Sequence, residues 1–436
     1  MKILWVTNIP LPEASLLLNE KPTPFGGWLV NFADALSQQN DIDLSIAFPR
    51  EQLNEIFRLQ GEHIKYFAFP SFNYKESHIR ERTKDLEKII DECKPDIVNI
   101  FGTEYSHTSA MVEVCNKKCV NVVITIQGLV SVISNHYFAY LPQNETRKAT
   151  FRDFIKRDNI NLQKEKFRLR GEFEIKALKQ VKHVIGRTTW DKACAFQINP
   201  SIVYHHCNET LRNEFYLKRW NIEECEKHSI FVSQGSYPIK GLHMMLQAMS
   251  IILKKFPDSK LYIAGPDITK YKSLKDKLRI TSYGNYLRKL IREYKLRHNV
   301  VFTGLLNGEA MCDRYLKSHV FVSPSIIENE SNSLSEAKIL GLPCVASFVG
   351  GVADRINDKE DGYLYQFDAP YMLAHYVCEI FGNKELSLTL SHNARERALK
   401  ALDKVENTNR IIEIYKKIIS ESSKSMVTET NNELKN

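Results

Sequence analysis

The sequence lacks the features that mark membrane-spanning, secreted and metal-clustered proteins. No uninterrupted apolar segment approaches the roughly 20 residues that a membrane-spanning helix needs. The stretch Met1 to Pro10 is a strand-like run followed by a proline turn, without the apolar core of a signal peptide, so a cytoplasmic protein is expected. The nine cysteines are scattered and odd in number, and the pair Cys115 and Cys119 has no second pair nearby; we expect reduced thiols and no metal site.

Neither sign of charge dominates the composition. The 60 lysines and arginines exceed the 52 acidic residues by only eight. This excess permits attraction to anionic substrates or to a membrane surface. No nucleic-acid-binding motif is present, and we expect no nucleic acid partner. The 436 residues exceed one ordinary core, so two domains are expected.

Strand-like apolar runs alternate with helical stretches along the chain, which is typical of α/β proteins with doubly wound parallel sheets. We predict Rossmann-like domains at 1–210 and 228–400, a linker at 211–227, a helix at 401–420 that could pack back on the first domain, and a disordered tail at 421–436. The predicted strands are Lys2–Asn8, Asp43–Phe48, Lys65–Pro70, Asp96–Gly102, Asn121–Gln127, His183–Arg187, Ile202–Cys207, Ser229–Gln234, Lys260–Gly265, Asn299–Gly304, His319–Ser323, Cys344–Val349 and Gly362–Phe367.

Two carboxylates, Glu328 and Glu336, lie eight positions apart across a predicted strand-to-helix turn. Glu328 follows the strand His319–Ser323, and Glu336 lies in the first turn of a helix predicted over Ser333–Leu340. Open parallel sheets bind ligands at this edge. Carboxylate oxygens suit sugar hydroxyls and helix-start amides suit a phosphate, so the pattern favours a nucleotide-sugar ligand.

Both carboxylates also have structural interpretations. Ser333 and Glu336 fit a capping box in which Glu336 only satisfies the Ser333 amide. Glu328 could be a solvated loop acid beside Glu330. The residues alone leave these alternatives open.

A lysine loop follows the first strand of the second domain. Gly235, Ser236 and Gly241 would allow close backbone approach, and Lys240 offers a positive charge to a diphosphate. The alternative is a tight connection whose lysine points into water.

Two glycine pairs occupy further loops at predicted strand ends. Gly350 and Gly351 follow the strand after Glu336, and Gly26 and Gly27 precede the first long helix. Their bare amides could face a phosphate or an acceptor. A double glycine alone is a weak signal.

With these residues in place, the chain resembles the retaining glycosyltransferases of family 4, in particular those of bacterial surface polysaccharides. The resemblance rests on the glutamate pair, the lysine loop and the glycine pairs, and it runs from Met1 to about Lys400. It implies a GT-B fold, with two Rossmann-like domains facing across a cleft. It further implies that Lys240 contacts the donor diphosphate, Glu328 the donor sugar and Glu336 the ribose.

The resemblance also implies wider binding roles. An NDP-sugar donor would bind mainly to the second domain and an acceptor mainly to the first. The implied acceptor-binding residues are Gly26, Gly27 and Gln127. The implied donor-binding residues beside Glu336 are Gly235, Ser236, Gly241, Leu305, Asn332, Ser333, Gly350 and Gly351.

Several positions depart from the family pattern. Gly235 replaces an arginine that partners the lysine on the diphosphate, and Arg187 is the candidate replacement. Gln127 stands where histidine is common and cannot titrate. Asn329 and Ser331 replace glycines after the first glutamate.

The expected function is metal-independent transfer of a sugar from an NDP-sugar to a glycan or lipid-linked acceptor, without a cofactor. The alternatives are an epimerase or hydrolase acting on sugars, and a non-catalytic partner that only binds sugar nucleotides. The segment Tyr137 to Lys182 interleaves basic residues with Phe and Leu. It is either a solvated helical face or a surface that meets anionic lipid at the inner face of the cell membrane.

Overall fold

The computed structural model describes residues 1–23, 26–72 and 76–433, with side chains omitted at 76–78 and beyond 423. These residues form two compact units. Unit 1 comprises Met1–Ser131, Arg170–Thr210 and the described chain from Leu402 onward, and unit 2 comprises Val132–Leu169 and Leu211–Ala401. Each unit is built around one sheet. Phe25, beside the first glycine pair, lies outside the described residues.

Unit 1 contains an eight-stranded sheet in the order β3-β4-β2-β1-β5-β6-β7-β8. Its strands pair in parallel except for β3, which pairs antiparallel with β4. The central strands are continuous buried runs, as expected where helices cover both faces. The strands are β1 (Lys2–Val6), β2 (Asp43–Arg50), β3 (Phe57–Gln60), β4 (Lys65–Pro70), β5 (Ile97–Phe101), β6 (Asn121–Thr125), β7 (His183–Gly186) and β8 (Val203–His206).

Unit 2 contains a six-stranded, all-parallel sheet in the order β11-β10-β9-β12-β13-β14. The strand order reverses between β9 and β12, which creates a topological switch point. The strands are β9 (Ser229–Val232), β10 (Lys260–Ile263), β11 (Val300–Phe302), β12 (Val320–Ser323), β13 (Cys344–Ser347) and β14 (Tyr363–Tyr365).

Helices connect the strands as crossovers. Three of them, α7, α9 and α12, begin at a capping box formed by Ser or Thr with an Asp three residues later. In chain order the helices are α1 (Pro12–Leu17), α2 (Gly27–Ser37), α3 (Glu76–Cys93), α4 (Ser106–Lys117), α5 (Val130–Ile133), α6 (Gln143–Thr146), α7 (Phe151–Lys156), α8 (Ile160–Gln180), α9 (Thr189–Ile198), α10 (Asn213–Leu217), α11 (Leu242–Lys255), α12 (Leu274–Arg279), α13 (Ser282–Glu293), α14 (Gly308–Leu316), α15 (Asn332–Leu340), α16 (Pro370–Gly382), α17 (Lys384–Ala401) and α18 (Lys404–Glu433).

The C-terminal helix α18 contributes to the core of unit 1. Its buried Ile411, Ile414 and Tyr415 join a cluster built on Trp5 and the strand side chains. The predicted disordered tail is wrong in part, because α18 continues to Glu433; adding residues to an existing helix costs far less than starting one. The last three residues of that predicted tail lie outside the described chain.

The predicted first domain needs a correction, because residues 132–169 belong to unit 2. The Ala139 carbonyl contacts His243 Nε2 at 2.8 Å, and Thr150 Oγ1 donates to the Ile280 carbonyl at 2.7 Å. His243 is buried, and this desolvation lowers its pKa to about 4, so the ring is neutral near pH 7. These contacts join segments that are distant in sequence, and a local pattern carries no sign of them.

The predicted linker at 211–227 also needs a correction. It contains α10, and Trp220 is buried with its indole N–H donating to the Ser318 carbonyl at 2.7 Å. The segment is therefore part of unit 2. In the described part of the chain, no helix has the length and apolar character required to cross a bilayer.

Candidate functional site

The loops that carry the predicted donor residues leave neighbouring strands of unit 2. The lysine loop follows β9, the loop of Glu328 follows β12, and the loop of Gly350 follows β13. Because the three strands are adjacent and parallel, their carboxyl ends lie along one edge of the sheet. This edge includes the switch point, where doubly wound sheets bind their ligands.

Lys240 and Glu328 meet at this edge. Lys240 Nζ lies 2.6 Å from Glu328 Oε2, and both side chains are mostly buried, at 25% and 16% exposure. Ser325 Oγ donates to the same carboxylate oxygen at 3.3 Å. Lys240 belongs to the 3₁₀ turn Pro238–Lys240. The alternative interpretations placed each side chain alone in water. In the structure, each side chain instead has the other as its ionic partner.

Glycines allow the three loops to pack backbone against backbone. Gly241 has φ +67°, and a Cβ there would overlap the Pro324 carbonyl oxygen. Gly350 has φ +49°, and a Cβ there would overlap the carbonyl oxygen of Glu328. The Gly351 N–H donates to that same carbonyl at 3.1 Å. The glycines therefore fix the position from which the Glu328 side chain extends.

The position where the family has an arginine is closed. Gly235 is buried, and a Cβ there would press on Leu242 and Ile263. Ser236 next to it is only half-buried. A side chain at position 235 would therefore require Leu242 to shift.

Backbone also faces outward at the neighbouring strand ends. Gly265 and Gly304, after β10 and β11, exchange N–H···O bonds of 2.9 and 3.1 Å. A Cβ on Gly304 would meet no heavy atom within 4 Å, and the following Leu305 is 73% exposed. This segment is therefore open to solvent.

Helix α15 begins one residue earlier than predicted, and its cap is different. Ser331 is the N-cap residue, and its Oγ accepts from the Leu334 N–H at 3.3 Å. The capping-box interpretation of Ser333 and Glu336 is therefore wrong. The cap position also moves Glu336 from the first turn into the second, and it leaves Asn332 and Ser333 in the first turn.

Glu336 instead faces a buried tyrosine. Tyr315 Oη lies 3.1 Å from Glu336 Oε2 and donates also toward the Ser333 carbonyl at 3.0 Å. Burial raises the pKa of Glu336 to about 7, while nearby Arg212 and the tyrosine hydrogen bond lower it. This carboxyl group therefore titrates near neutral pH, unlike an ordinary loop acid.

In unit 1, Arg187 is engaged in a buried ion pair. Its Nη1 lies 2.6 Å from Glu209 Oε2, and the side chains are only 2% and 4% exposed. Gln127 Nε2 donates to the other Glu209 oxygen at 2.9 Å. The charge of Arg187 is thus compensated within unit 1, and this argues against its predicted role as the replacement diphosphate cation.

The first glycine pair begins helix α2. Gly26 is the N-cap residue with φ +75°, and a Cβ there would collide with Ile9, in the loop after β1. Gly26 and Gly27 are both half-buried, so their backbone lies near the surface at the carboxyl end of the sheet.

Unit 1 also contains a cavity of about 990 Å³ that sequence reasoning missed. It lies where β1, β2, β4 and β5 end, and its lining includes Asn8, Arg50, Phe72, Tyr105 and His107. His107 Nε2 lies 3.0 Å from Asn8 Oδ1, and burial lowers the pKa of His107 to about 3. The cavity thus offers neutral hydrogen-bonding groups, aromatic faces, two glutamates, Glu20 and Glu51, and one arginine, Arg50, which is paired with Glu20.

Comparisons with known proteins agree with this architecture. Residues 213–397 match the family of glycosyl transferases group 1. Anabaena HepE in complex with UDP-glucose superposes with a TM-score of 0.66 at 15% identity, over 96% of this chain and 100% of that chain. The fold is GT-B. The predicted fold class is confirmed.

Two sequence relatives match part of this GT-B chain. An uncharacterized glycosyltransferase of Methanocaldococcus jannaschii is 27% identical over 195 residues, which cover 45% of this chain and 46% of the relative. The poly(ribitol-phosphate) alpha-N-acetylglucosaminyltransferase of Staphylococcus aureus is 26% identical over 164 residues, 37% of this chain and 30% of the relative. The chain spans less than half of the length of these relatives.

Unit 2 holds further charges that the sequence did not single out. Glu330, on the loop of Glu328, is buried and lies 2.8 Å from Arg355 Nε. Lys338 on α15 lies 3.0 Å from Asp361, and both are buried. These ion pairs brace the loop and helix of the glutamate pair. They could not be predicted, because the partners lie far apart in the sequence and a single charge looks like a solvated residue.

Proposed function

We propose that this protein is a retaining, family 4-type glycosyltransferase that moves a sugar from an NDP-sugar to a glycan or lipid-linked acceptor. The observation that carries the proposal is the convergence of Lys240 and Glu328, 2.6 Å apart, at the switch point of unit 2. The family match over residues 213–397 covers the same sheet edge. The Staphylococcus aureus relative, named for its action on poly(ribitol-phosphate), supports a role in bacterial surface-glycan synthesis.

The donor would be held by charge and by backbone amides. Lys240 would exchange its contact with Glu328 for the diphosphate, aided by the amides of the first turn of α15 and of Gly350. Gly351 would contribute by holding the loop of Glu328, because its N–H donates to the Glu328 carbonyl. Glu328, released from the lysine, would accept hydrogen bonds from the sugar. Glu336 in its ionised form would accept them from the ribose hydroxyls.

The transfer step follows from these placements. The bond between the anomeric carbon and the diphosphate oxygen breaks, and its electron pair leaves with the nucleotide. The acceptor hydroxyl attacks the oxocarbenium-like sugar from the same face, and its proton passes to the departing phosphate oxygen. Lys240 stabilises the charge that develops on the leaving group, and Glu328 orients the sugar.

The acceptor would bind in unit 1. The cavity lined by Asn8, Arg50 and Tyr105 has a volume of about 990 Å³, which matches the upper range of small-molecule sites. Gly26 and Gly27 would present backbone groups to the acceptor. Gln127 is already bonded to Glu209 and would act by fixing the loop after β6.

The proposed enzyme needs neither a metal ion nor a cofactor, because Lys240 and the helix start neutralise the diphosphate. We further propose that it works in the cytoplasm, where nucleotide-sugars are made, with peripheral access to the inner face of the cell membrane.

The test compares two site variants with two matched controls. Lys240→Ala and Glu328→Ala should each lower transfer by about 10²–10⁴-fold, because each removes stabilisation of the transition state. Lys400→Ala and Glu385→Ala, which change exposed residues on α17, should leave transfer unchanged. Donor identity comes from thermal-shift screening with UDP-, GDP- and ADP-sugars, and activity should persist in excess EDTA.

The same assay separates the competing functions. Release of free sugar or of an epimerised donor without an acceptor would indicate a hydrolase or an epimerase. Donor binding without transfer to any acceptor would indicate a non-catalytic partner. Full activity in either site variant would remove that residue from the mechanism.

A further inference from the structure

Two short helices of unit 2 turn apolar side chains outward. On α7, Phe151, Phe154 and Ile155 are 59%, 76% and 60% exposed. On α12, Leu274 and Leu278 are 74% and 45% exposed. Their spacings of three and four residues place them on one face of each helix. An ordinary surface helix buries that face, so the orientation here is reversed.

Polar contacts on the inner side hold the helices in this orientation. Thr150, the cap of α7, donates to the Ile280 carbonyl at 2.7 Å. The buried Asp153 on α7 accepts from the Ser282 N–H at 2.8 Å. Helices α7 and α12 also pack against each other. The two apolar faces therefore belong to one pre-formed surface, which we call the α7–α12 surface.

Positive charge surrounds this surface. The segments 147–157 and 270–279 contain ten lysines and arginines and two aspartates, a net charge equal to the +8 of the whole chain. One of the two aspartates, Asp153, is buried beneath α7. Lys156, Arg157, Lys275 and Arg279 are exposed beside the apolar residues. Among the ten cations of the two segments, Lys148 is paired with Glu145, and Arg152 is paired with Asp153 and Asp158.

We propose that the α7–α12 surface docks on an anionic lipid bilayer. The apolar side chains would enter the interface between headgroups and acyl chains, and the basic residues would contact lipid phosphates. A nucleic acid offers no partner for Ile155 and Leu274. A protein partner would need an apolar patch ringed by acidic residues. An anionic bilayer has an apolar interior beneath a layer of negatively charged headgroups. The inference assigns a surface to the peripheral membrane access proposed above, and it does not depend on the transferase activity.

The experiment is vesicle flotation with the full chain. The probes are vesicles of pure phosphatidylcholine and vesicles in which about one third of the lipid is phosphatidylglycerol. Wild-type protein should float with the anionic vesicles and remain free with the neutral ones. Phe154→Ser with Leu274→Ser, and separately Lys156→Glu with Lys275→Glu, should weaken binding at least about tenfold.

Matched controls keep the test specific. Leu388→Ser with Tyr371→Ser changes exposed apolar residues on α17 and α16, and Lys400→Glu changes an exposed cation on α17. These variants should bind as the wild type does. Lys240→Ala should also bind normally, so that loss of transfer and loss of docking are separable. Circular dichroism checks that each variant is folded.

Several results would overturn the proposal. They are the absence of flotation with anionic vesicles, equal binding to neutral vesicles, and unchanged binding of the α7–α12 variants. A dimer in solution that Phe154→Ser dissociates, without vesicle binding, would assign the surface to a second copy of the chain instead.

Discussion

The two glutamates of the motif have different environments although they are only eight positions apart. Glu328 is paired with Lys240 and Ser325 at the sheet edge. Glu336 lies on the second turn of α15 against the hydroxyl of Tyr315. Desolvation therefore dominates at Glu336 and raises its pKa to about 7, whereas Glu328 has an ionic partner.

Donor affinity should depend on pH through Glu336. Only the ionised carboxylate has all its oxygens available as acceptors, so affinity should be highest above pH 7 and fall below it, approaching about tenfold per pH unit. Isothermal titration calorimetry of the UDP- or GDP-sugar identified by screening measures the profile. Two buffers of different ionisation enthalpy should reveal proton release on binding below pH 7.

Glu336→Gln is the matched variant for this profile, since it keeps the shape and cannot ionise. It should bind weakly and without a step near pH 7. A step that survives in this variant would assign the titration to another group.

The same raised pKa affects stability. Unfolding returns the carboxyl group to its ordinary pKa of 4.5, so the folded state binds the proton more tightly. Its contribution to the free energy of unfolding is complete below pH 4.5 and is lost as the pH rises through 7.

At the scale of elements, the edge of the unit 2 sheet that carries Lys240 and Glu328 depends on loops that pack backbone against backbone. Regular strands and helices bring the loops to one edge, but Gly241 and Gly350 allow the final approach. The sequence showed the glycines without showing their partners. The loops after β9, β12 and β13 are far apart in the sequence and come close together only in the folded sheet.

Gly350→Ala and Gly304→Ala separate backbone packing from backbone strain. Both glycines have positive φ, but only at Gly350 would a Cβ overlap another backbone, at the Glu328 carbonyl. Gly350→Ala should lower the free energy of unfolding by about 3 kcal/mol or more and weaken donor binding. Gly304→Ala should cost only the φ strain, about 1–2 kcal/mol.

Urea unfolding of both variants makes this comparison. Equal losses would show that strain, and not the contact with the Glu328 loop, accounts for the effect.

One strand escaped prediction for an elementary reason. β3 is an edge strand, and three of its four residues are exposed. It therefore shows no buried apolar run, and its antiparallel pairing with β4 departs from the parallel pattern of the sheet. Such a strand can be identified only from its pairing with β4 in the folded sheet.

At the scale of the whole molecule, the chain returns to unit 1 after completing unit 2. Helix α18 brings Tyr415 into the core of unit 1, where its hydroxyl accepts from Trp5 Nε1 at 3.1 Å and from Asn99 Nδ2 at 2.6 Å. The hydroxyl thus satisfies two buried donors that lie more than 300 positions away in the chain.

Tyr415→Phe should destabilise unit 1 by about 1–3 kcal/mol, because it leaves those two donors without their partner. Tryptophan fluorescence during urea unfolding suits the measurement, since three of the four tryptophans, Trp5, Trp28 and Trp190, lie in unit 1. Tyr371→Phe, at a 61% exposed residue, should have no effect. An unchanged midpoint in Tyr415→Phe would show that the two donors find other partners.

The sequence by itself determined the α/β class with two parallel-sheet units, which follows from buried runs, turn glycines and chain length. The GT-B fold was implied by the resemblance that the glutamate pair, the lysine loop and the glycine pairs carry. Only the tertiary structure decided that Lys240 pairs with Glu328, that Arg187 is already neutralised by Glu209, and that residues 132–169 join unit 2. The physical reason is that a side chain's charge, exposure and partners depend on segments far away in the chain, which meet only after the sheets have formed.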